Sequence, residues 1–445
     1  MSATAEQIPQ SRLSARKRDV LAGAFTWLSA FYVVYCARPE DWIPGLSHIP
    51  LAKITAFGAF VGLMTSMSKS ERRFRDLPKE SRYLLAMILV LLLAGVLSPI
   101  WKGGAVSFTL AFGKIYIAWV LTFMLVTSFE KFRRIIFIQA ASVAAICAIS
   151  IVKGHSHPRL EGVIGGIYSN PNDLAFAIAL SLPFCLAFLV STKNAIRKMI
   201  WLVSMLIMLA ALFMTASRGG FITLVITGVV CLWHFGVRGR RFFLIVGTAV
   251  VGGIVLIAAG GKLIDRFEAM SGETVEGREA AYESYEQRKF LMEKAIEGIE
   301  HYPILGVGAK NFQVYSTVWR DVHMTYLQIT VEGGIPTAIL FLLFFSCAFS
   351  NLKVLRKRKD LDVQTVLFVG ALHSSMVGFI VGATFAPEAY QFFPYFAVAY
   401  TSALIAIVKE QDRHSASPPP APRLQRPYWD RTARSRPQES ASVGR

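Results

Sequence analysis

The chain has 445 residues, 54% of them hydrophobic and 17% charged, with a formal net charge of +18. Its apolar residues fall in blocks of about 17–25 separated by short basic clusters, which is the pattern of repeated membrane spans and excludes a soluble core. Lipid cannot hydrogen-bond an open backbone, and continuous apolar runs without two-residue alternation exclude a closed barrel, so an all-α polytopic membrane helix bundle is expected.

In chain order, residues 1–19 form an N-terminal segment and the first nine of about twelve transmembrane helices occupy 20–259. They are predicted near 20–36, 49–66, 83–100, 107–127, 135–152, 174–192, 199–216, 219–235 and 242–259. The first leads into Arg38-Pro39-Glu40-Asp41-Trp42 with no small-residue cleavage pattern, and is read as a retained helix. Residues 260–322 form one large helical loop. Spans ten to twelve follow over 323–408, near 323–349, 363–383 and 391–408, and 409–445 is a Pro-, Arg- and Ser-rich tail too polar to bury a core. No internal repeat is evident.

Basic residues gather at Arg12 to Arg18, Lys69 to Arg82, Lys131 to Arg134, Lys193 to Lys198, Arg238 to Arg241 and Lys353 to Lys359, on alternate connections. The short connections between them hold only scattered cations, Arg38, Lys53, Lys102, Lys114, Lys153, Arg159 and Arg218. The positive-inside rule then puts both termini in the cytoplasm, and the excess charge reads as topology and affinity for anionic membrane lipids, with no nucleic-acid partner. The five cysteines, Cys36, Cys147, Cys185, Cys231 and Cys347, all lie in predicted spans and show no metal-type spacing.

Two outer segments stand out. Lys153 to Asp173 ends in Asn170-Pro171-Asn172-Asp173, which makes a turn and caps the following helix. It also contains His155 and His157, but a His-x-His pair without a third ligand does not make a metal site, and none is expected. In the long loop, Glu279 to Glu300 reads as a helix ended by His301-Tyr302-Pro303, and Ile304-Leu305-Gly306-Val307-Gly308 as a flexible turn beside the membrane.

Several polar residues invite a chemical reading. Arg218, in Ser217-Arg218-Gly219-Gly220, sits in a turn so tight that it must lie at the outer membrane surface, where glycine N–H groups and a guanidinium can cradle phosphate oxygens. The plainer reading is a snorkelling arginine at a helix end. Arg288 lies on the loop helix among Glu283, Glu286 and Glu293, where a solvated, charge-paired face is the plainer reading; Arg159 and Arg278 stand similarly. His323 begins span ten and is placed to exchange a proton with an acceptor hydroxyl, or simply to be satisfied by interfacial water. Glu332, two to three turns deeper, must pair with a basic group or be neutral. Lys114, within span four, is either a buried cation aimed at phosphate or a lysine near the surface.

Taken in order, Arg159-Leu160-Glu161-Gly162, Asn170-Pro171-Asn172-Asp173-Leu174-Ala175, Thr215-Ala216-Ser217-Arg218-Gly219-Gly220, Gln287-Arg288, Pro303-Ile304-Leu305-Gly306-Val307-Gly308, and His323-Met324-Thr325-Tyr326-Leu327-Gln328 with Glu332-Gly333-Gly334-Ile335-Pro336 resemble the O-antigen ligase and O-antigen polymerase superfamily. These are bacterial inner-membrane glycosyltransferases. The resemblance covers roughly 20–410 and rests on the order of the segments, since no single motif is specific. It implies a GT-C-like bundle that transfers a glycan from undecaprenyl diphosphate to a glycan, lipid or protein acceptor on the periplasmic side, with no metal or other cofactor. By the same resemblance, Arg218 and Arg288 hold the diphosphate and His323 acts near the acceptor, with Arg159, Asn172, Lys114, Glu332 and Arg278 as surrounding substrate-binding residues. Family members commonly carry Asn after the histidine, where this chain has Met324, which cannot donate an amide hydrogen bond.

Within the superfamily, a ligase is expected first, a repeat-unit polymerase second, and a protein O-glycosylation ligase third. The segment Arg38 to Trp42 also resembles members encoded near exopolysaccharide or exosortase systems. From a different class, a flippase or transporter of lipid-linked sugars would place its charges and broken helices near the bilayer midplane, whereas the distinctive residues here gather on one face.

Overall fold

A computed structural model describes residues 20–70, 72–153, 160, 168, 170–250, 253 and 275–416. Arg159, His155 and His157 lie outside the described residues, as does most of 251–274. The chain divides into two compact units, Met1–Ile407 and Val408–Arg445. All regular structure among the described residues is helical: α1 (Ala22–Ala37), α2 (Leu51–Ser66), α3 (Lys79–Val96), α4 (Lys102–Phe112), α5 (Lys114–Leu125), α6 (Phe129–Lys153), α7 (Pro171–Ser191), α8 (Ala195–Thr215), α9 (Arg218–Cys231), α10 (Val275–His301), α11 (Thr325–Lys357), α12 (Val363–Gly382) and α13 (Phe392–Ala416).

Eight of these helical stretches are long and apolar enough to cross a membrane; α4 and α5 count as one, joined at Gly113, and α1 and α2 are shorter apolar helices. The protein is thus a multi-pass membrane protein. Residues 242–250 are also helical, where the ninth span is predicted.

The helices begin where side chains can satisfy their first N–H groups. Asn170 accepts from the Asn172 amide at 2.9 Å to start α7, as the sequence predicts, and Pro171 takes the position that needs no N–H. Asn194 caps α8, Ser217 caps α9 through the Gly220 amide at 3.1 Å, and Asp362 caps α12 through the amides of Gln364 and Thr365. Of the spans, α7 is 83% buried and α8 only 28%, so α7 is central while α8 turns Ile196, Met199 and Ile200 outward toward lipid. Within the bundle, side-chain hydrogen bonds cross between helices where no water is available, as from Tyr400 to Gln139 at 2.7 Å and from Asn351 to Glu80 at 2.5 Å.

At the first outer turn, Arg38 has φ 45 and its Nε lies 2.5 Å from Asp41, with Glu40 at 3.5 Å, so Arg38 to Trp42 is a self-neutralised corner. All five cysteines are free, and all but Cys347 are buried.

The predicted single span ten is broken. Gly334 has φ 76 and ψ 172, a conformation essentially restricted to glycine, so α11 kinks there and Ile335 donates its N–H outside the helix, to Pro303 O at 2.8 Å. Val307 and Gly308 donate to the carbonyls of Val331 and Glu332 at 2.8 and 2.9 Å. This corrects the reading of Ile304 to Gly308 as a flexible turn: the segment is pinned by main-chain bonds into the break. A Cβ on Gly306 would lie 2.4 Å from Val331 O and one on Gly334 2.1 Å from Ile304 O, so both glycines are required by close approach. Behind the seam, Leu291, Ala295, Val307, Phe312, Val322 and Val331 form a small buried core that fastens α10 to α11.

Candidate functional site

The Ser217 turn is held between two neighbours. Ala216 adopts a left-handed conformation with φ 48, which ends α8, and Arg218 becomes the first residue of α9. A Cβ on Gly220 would meet Ala175 of α7 at 2.5 Å, and one on Gly219 would meet Phe385 at 3.1 Å, so only glycines let this turn sit so close to both. The Leu160 amide donates to Met214 O at 3.0 Å, which brings the segment before α7 to the same corner.

The start of α11 packs on the same stretch of chain that carries Phe385. The Thr325 amide donates to Ala383 O at 2.8 Å, its hydroxyl donates to Ala386 O at 2.6 Å, and the Glu388 amide returns to the Thr325 Oγ1 at 2.9 Å. His323, two residues earlier, is therefore set by buried main-chain bonds. Met324 is the N-cap residue of α11 and makes no side-chain cap, which an asparagine there would supply.

On the third side, Arg320 donates to Gln287 Oε1, tying the approach to His323 onto α10 beside Arg288. The Arg218 charge reaches Arg288, and the Arg288 charge reaches His323. Burial, and then the Arg218 charge, holds the half-buried Arg288 guanidinium below its ordinary value. Burial chiefly, then Arg288, pushes His323 down to about 4; Arg320 adds to this and Asp321 opposes it. Arg218 at the start of α9, Arg288 on α10 and the imidazole before α11 are thus linked in sequence by their electrostatic influence.

The other candidates are placed less centrally. Asn172 lies in the first turn of α7, half-buried. Lys114 is exposed at the first residue of α5, and no contact among the described residues ties it to the cluster. Arg278 lies on α10, with its side chain outside the description. Glu332 is fully buried, and its Oε2 accepts from the Tyr390 hydroxyl at 2.6 Å, with the Lys310 ammonium in electrostatic reach. The bonded neighbour is a phenol, so of the two expectations, a basic partner or a neutral carboxyl, the first is not met by a direct bond.

Sequence reasoning missed a polar layer beneath the cluster. Lys310 is bonded to Asp321 at 2.6 Å, and Gln313 donates to the same carboxylate at 3.0 Å. Glu388 is 3% exposed, and burial, with Asp173 adding, pushes its carboxyl well above the ordinary range. Lys310 and Asp321 flank a short helical turn at Phe312–Tyr315, so their spacing is the one local signal; Glu388 and Tyr390 meet this layer only through tertiary contacts.

Residues 203–342 match the O-antigen ligase family, a stretch that runs from α8 into α11 and encloses Arg218, Arg288 and His323. No curated protein matches the chain.

Proposed function

With residues 203–342 supporting the O-antigen ligase superfamily as the family of this chain, we propose that it is a periplasmic-face glycosyltransferase of about twelve spans, which moves a glycan from undecaprenyl diphosphate to an acceptor hydroxyl. The observation that supports the reading is that the Arg218 charge acts on Arg288 and the Arg288 charge on His323. A diphosphate offers oxygens to both guanidinium forks, and its negative charge offsets the repulsion between Arg218 and Arg288.

In the proposed reaction the acceptor O–H gives its proton to the free imidazole nitrogen of His323. The acceptor oxygen attacks the anomeric carbon, the bond from that carbon to the phosphate oxygen breaks, and undecaprenyl diphosphate leaves with the bonding pair. Arg218 and Arg288 stabilise the charge that grows on the leaving oxygen. A bound diphosphate also offsets the Arg288 charge beside His323, so the imidazole becomes a stronger base when the donor is in place. Asn172 meets the donor, while Glu332, buried and bonded to Tyr390, supports the site from behind.

A ligase is favoured, and a repeat-unit polymerase is the second reading. Purified protein given undecaprenyl-diphosphate glycan and an acceptor should release undecaprenyl diphosphate in step with acceptor glycosylation. Absence of transfer with lipid flipping in proteoliposomes would replace the enzyme by a transporter. In a deletion strain, accumulated lipid-linked polymer identifies the ligase and short unpolymerised chains the polymerase.

A further inference from the structure

The far end of the same helices holds a second polar cavity that the transfer chemistry does not use. Arg218 opens α9 and Arg238 follows the π-helical segment Leu232–Val237 that continues it; the stretch Arg218–Val237 is one span of 20 residues, so the two arginines lie about a bilayer core apart. The distribution of Lys and Arg makes this the cytoplasmic end. The cavity measures about 290 Å³ and lies among the ends of α9 and α11 and the start of α12, with Arg238, Arg241, Arg356, Arg358 and His234 in its lining. No carboxylate lines it among the described residues. The carboxylates nearby in sequence are already committed, Asp360 to Arg358 at 3.0 Å and Asp362 to the α12 amides.

The site is built rather than left over. The chain turns through a π-helix at Leu232–Val237, a form that inserts an extra residue and recurs at functional positions. His234 then lies against Gly370, where a Cβ would come within 3.2 Å of the His234 Cβ. Arg356 Nη1 lies 2.9 Å from His373 Nε2, and His373 Nδ1 lies 3.1 Å from His234 Nε2. A guanidinium only donates, so His373 Nε2 accepts and its Nδ1–H donates to His234, which makes both rings neutral in this chain of bonds. The chain fixes Arg356 but brings no negative charge, and the buried Arg356 Nε has no hydrogen-bond partner. The Arg238, Arg241 and Arg356 guanidiniums, in a lining that holds no carboxylate, together with a desolvated N–H, call for an anion. Val363 and Val366, 70% and 50% exposed, extend the lining as an apolar flank.

We propose that this cavity binds a phosphate anion presented by a membrane lipid, with the headgroup phosphate among Arg238, Arg241 and Arg356 and the glycerol and acyl stems along the valine flank. Basic pockets at the cytoplasmic ends of spans suit such headgroups, and the apolar flank favours a lipid over free phosphate. The site is independent of the proposed transferase reading.

Native mass spectrometry of the full-length protein in neutral detergent, with phosphatidylglycerol, cardiolipin and phosphatidylcholine supplied equally, tests it. Anionic lipid should be retained over phosphatidylcholine by roughly fivefold or more. Arg238→Gln with Arg241→Gln leaves the Arg356–His373–His234 chain intact and alters side chains that are exposed or half-buried. It should abolish that preference, bringing anionic lipid and phosphatidylcholine to about equal retention, with an unchanged melting temperature. Arg238→Gln alone, at an exposed position, should give a smaller loss and serves if the double variant does not fold. Equal retention of all three lipids by the wild type, or unchanged retention in a folded variant, overturns the site. Displacement of the lipid by millimolar inorganic phosphate overturns the lipid as its source.

Discussion

Replacing Arg288 by Gln distinguishes a side chain that holds the fold together from one held ready for a ligand. Arg288 is half-buried and opposed by both desolvation and the Arg218 charge, so its charge destabilises the ligand-free protein slightly. With screening at a half-exposed pair, that repulsion is about 0–1 kcal/mol. Arg288→Gln should therefore leave the melting temperature unchanged or raise it by a degree or two. Transfer should respond in the opposite sense. Loss of charge-assisted bonds to a diphosphate costs about 1.5–3 kcal/mol, which is about tenfold to 150-fold in turnover efficiency. The assay pairs melting curves, with and without undecaprenyl diphosphate, with initial rates of acceptor glycosylation. The ligand should raise the wild-type melting temperature and have little effect on the variant. A variant that melts several degrees lower without ligand, or that transfers within threefold of wild type, would refute the diphosphate role.

Other outcomes follow from the same geometry. Because His323 is held down to about 4, below the ordinary histidine value near 6.5, its neutral form is present throughout the neutral range. The acid limb of kcat/KM should fall near pH 4, and Arg288→Gln should move it upward by removing a repelling charge. The linkage has a definite sign: stability from the neutral imidazole is full above about pH 6.5 and is lost as pH falls toward 4, which urea melts across that range will measure. Arg218→Lys should recover little of the activity lost in Arg218→Ala, because one ammonium cannot reproduce the fork; full recovery in a rate assay would remove the bidentate role. Gly334→Ala forces a side chain into a glycine-only conformation against Ile304 O. It should destabilise by about 3–5 kcal/mol and expose the 303–308 segment to protease; a wild-type cleavage pattern would contradict the seam.

Helix positions were legible because apolar block length and N-cap chemistry are local properties. Asn170, Ser217 and Asp362 each mark a helix start within two or three residues of the amides they satisfy. Arg218 was readable for the same reason, since a Ser-Arg-Gly-Gly turn between two spans can lie only at a surface. The break at Gly334 was hidden, because a Gly-Gly pair inside an apolar run looks like a helix that tolerates small residues. Its cause is main-chain bonding to a segment about thirty residues earlier, which leaves no side-chain pattern. The Glu332–Tyr390 bond and the Glu388 neighbourhood join positions far apart in sequence. A carboxylate in a span announces that it needs a partner, but composition does not say that the partner is a tyrosine.

The seam between 303–308 and α11 is made by amide and carbonyl groups, which every residue but proline carries in full. Outside its glycines, substitutions along it leave the bonding pattern intact. The side chains of the segment can therefore vary while the break in α11 and the course of the backbone through it are inherited unchanged.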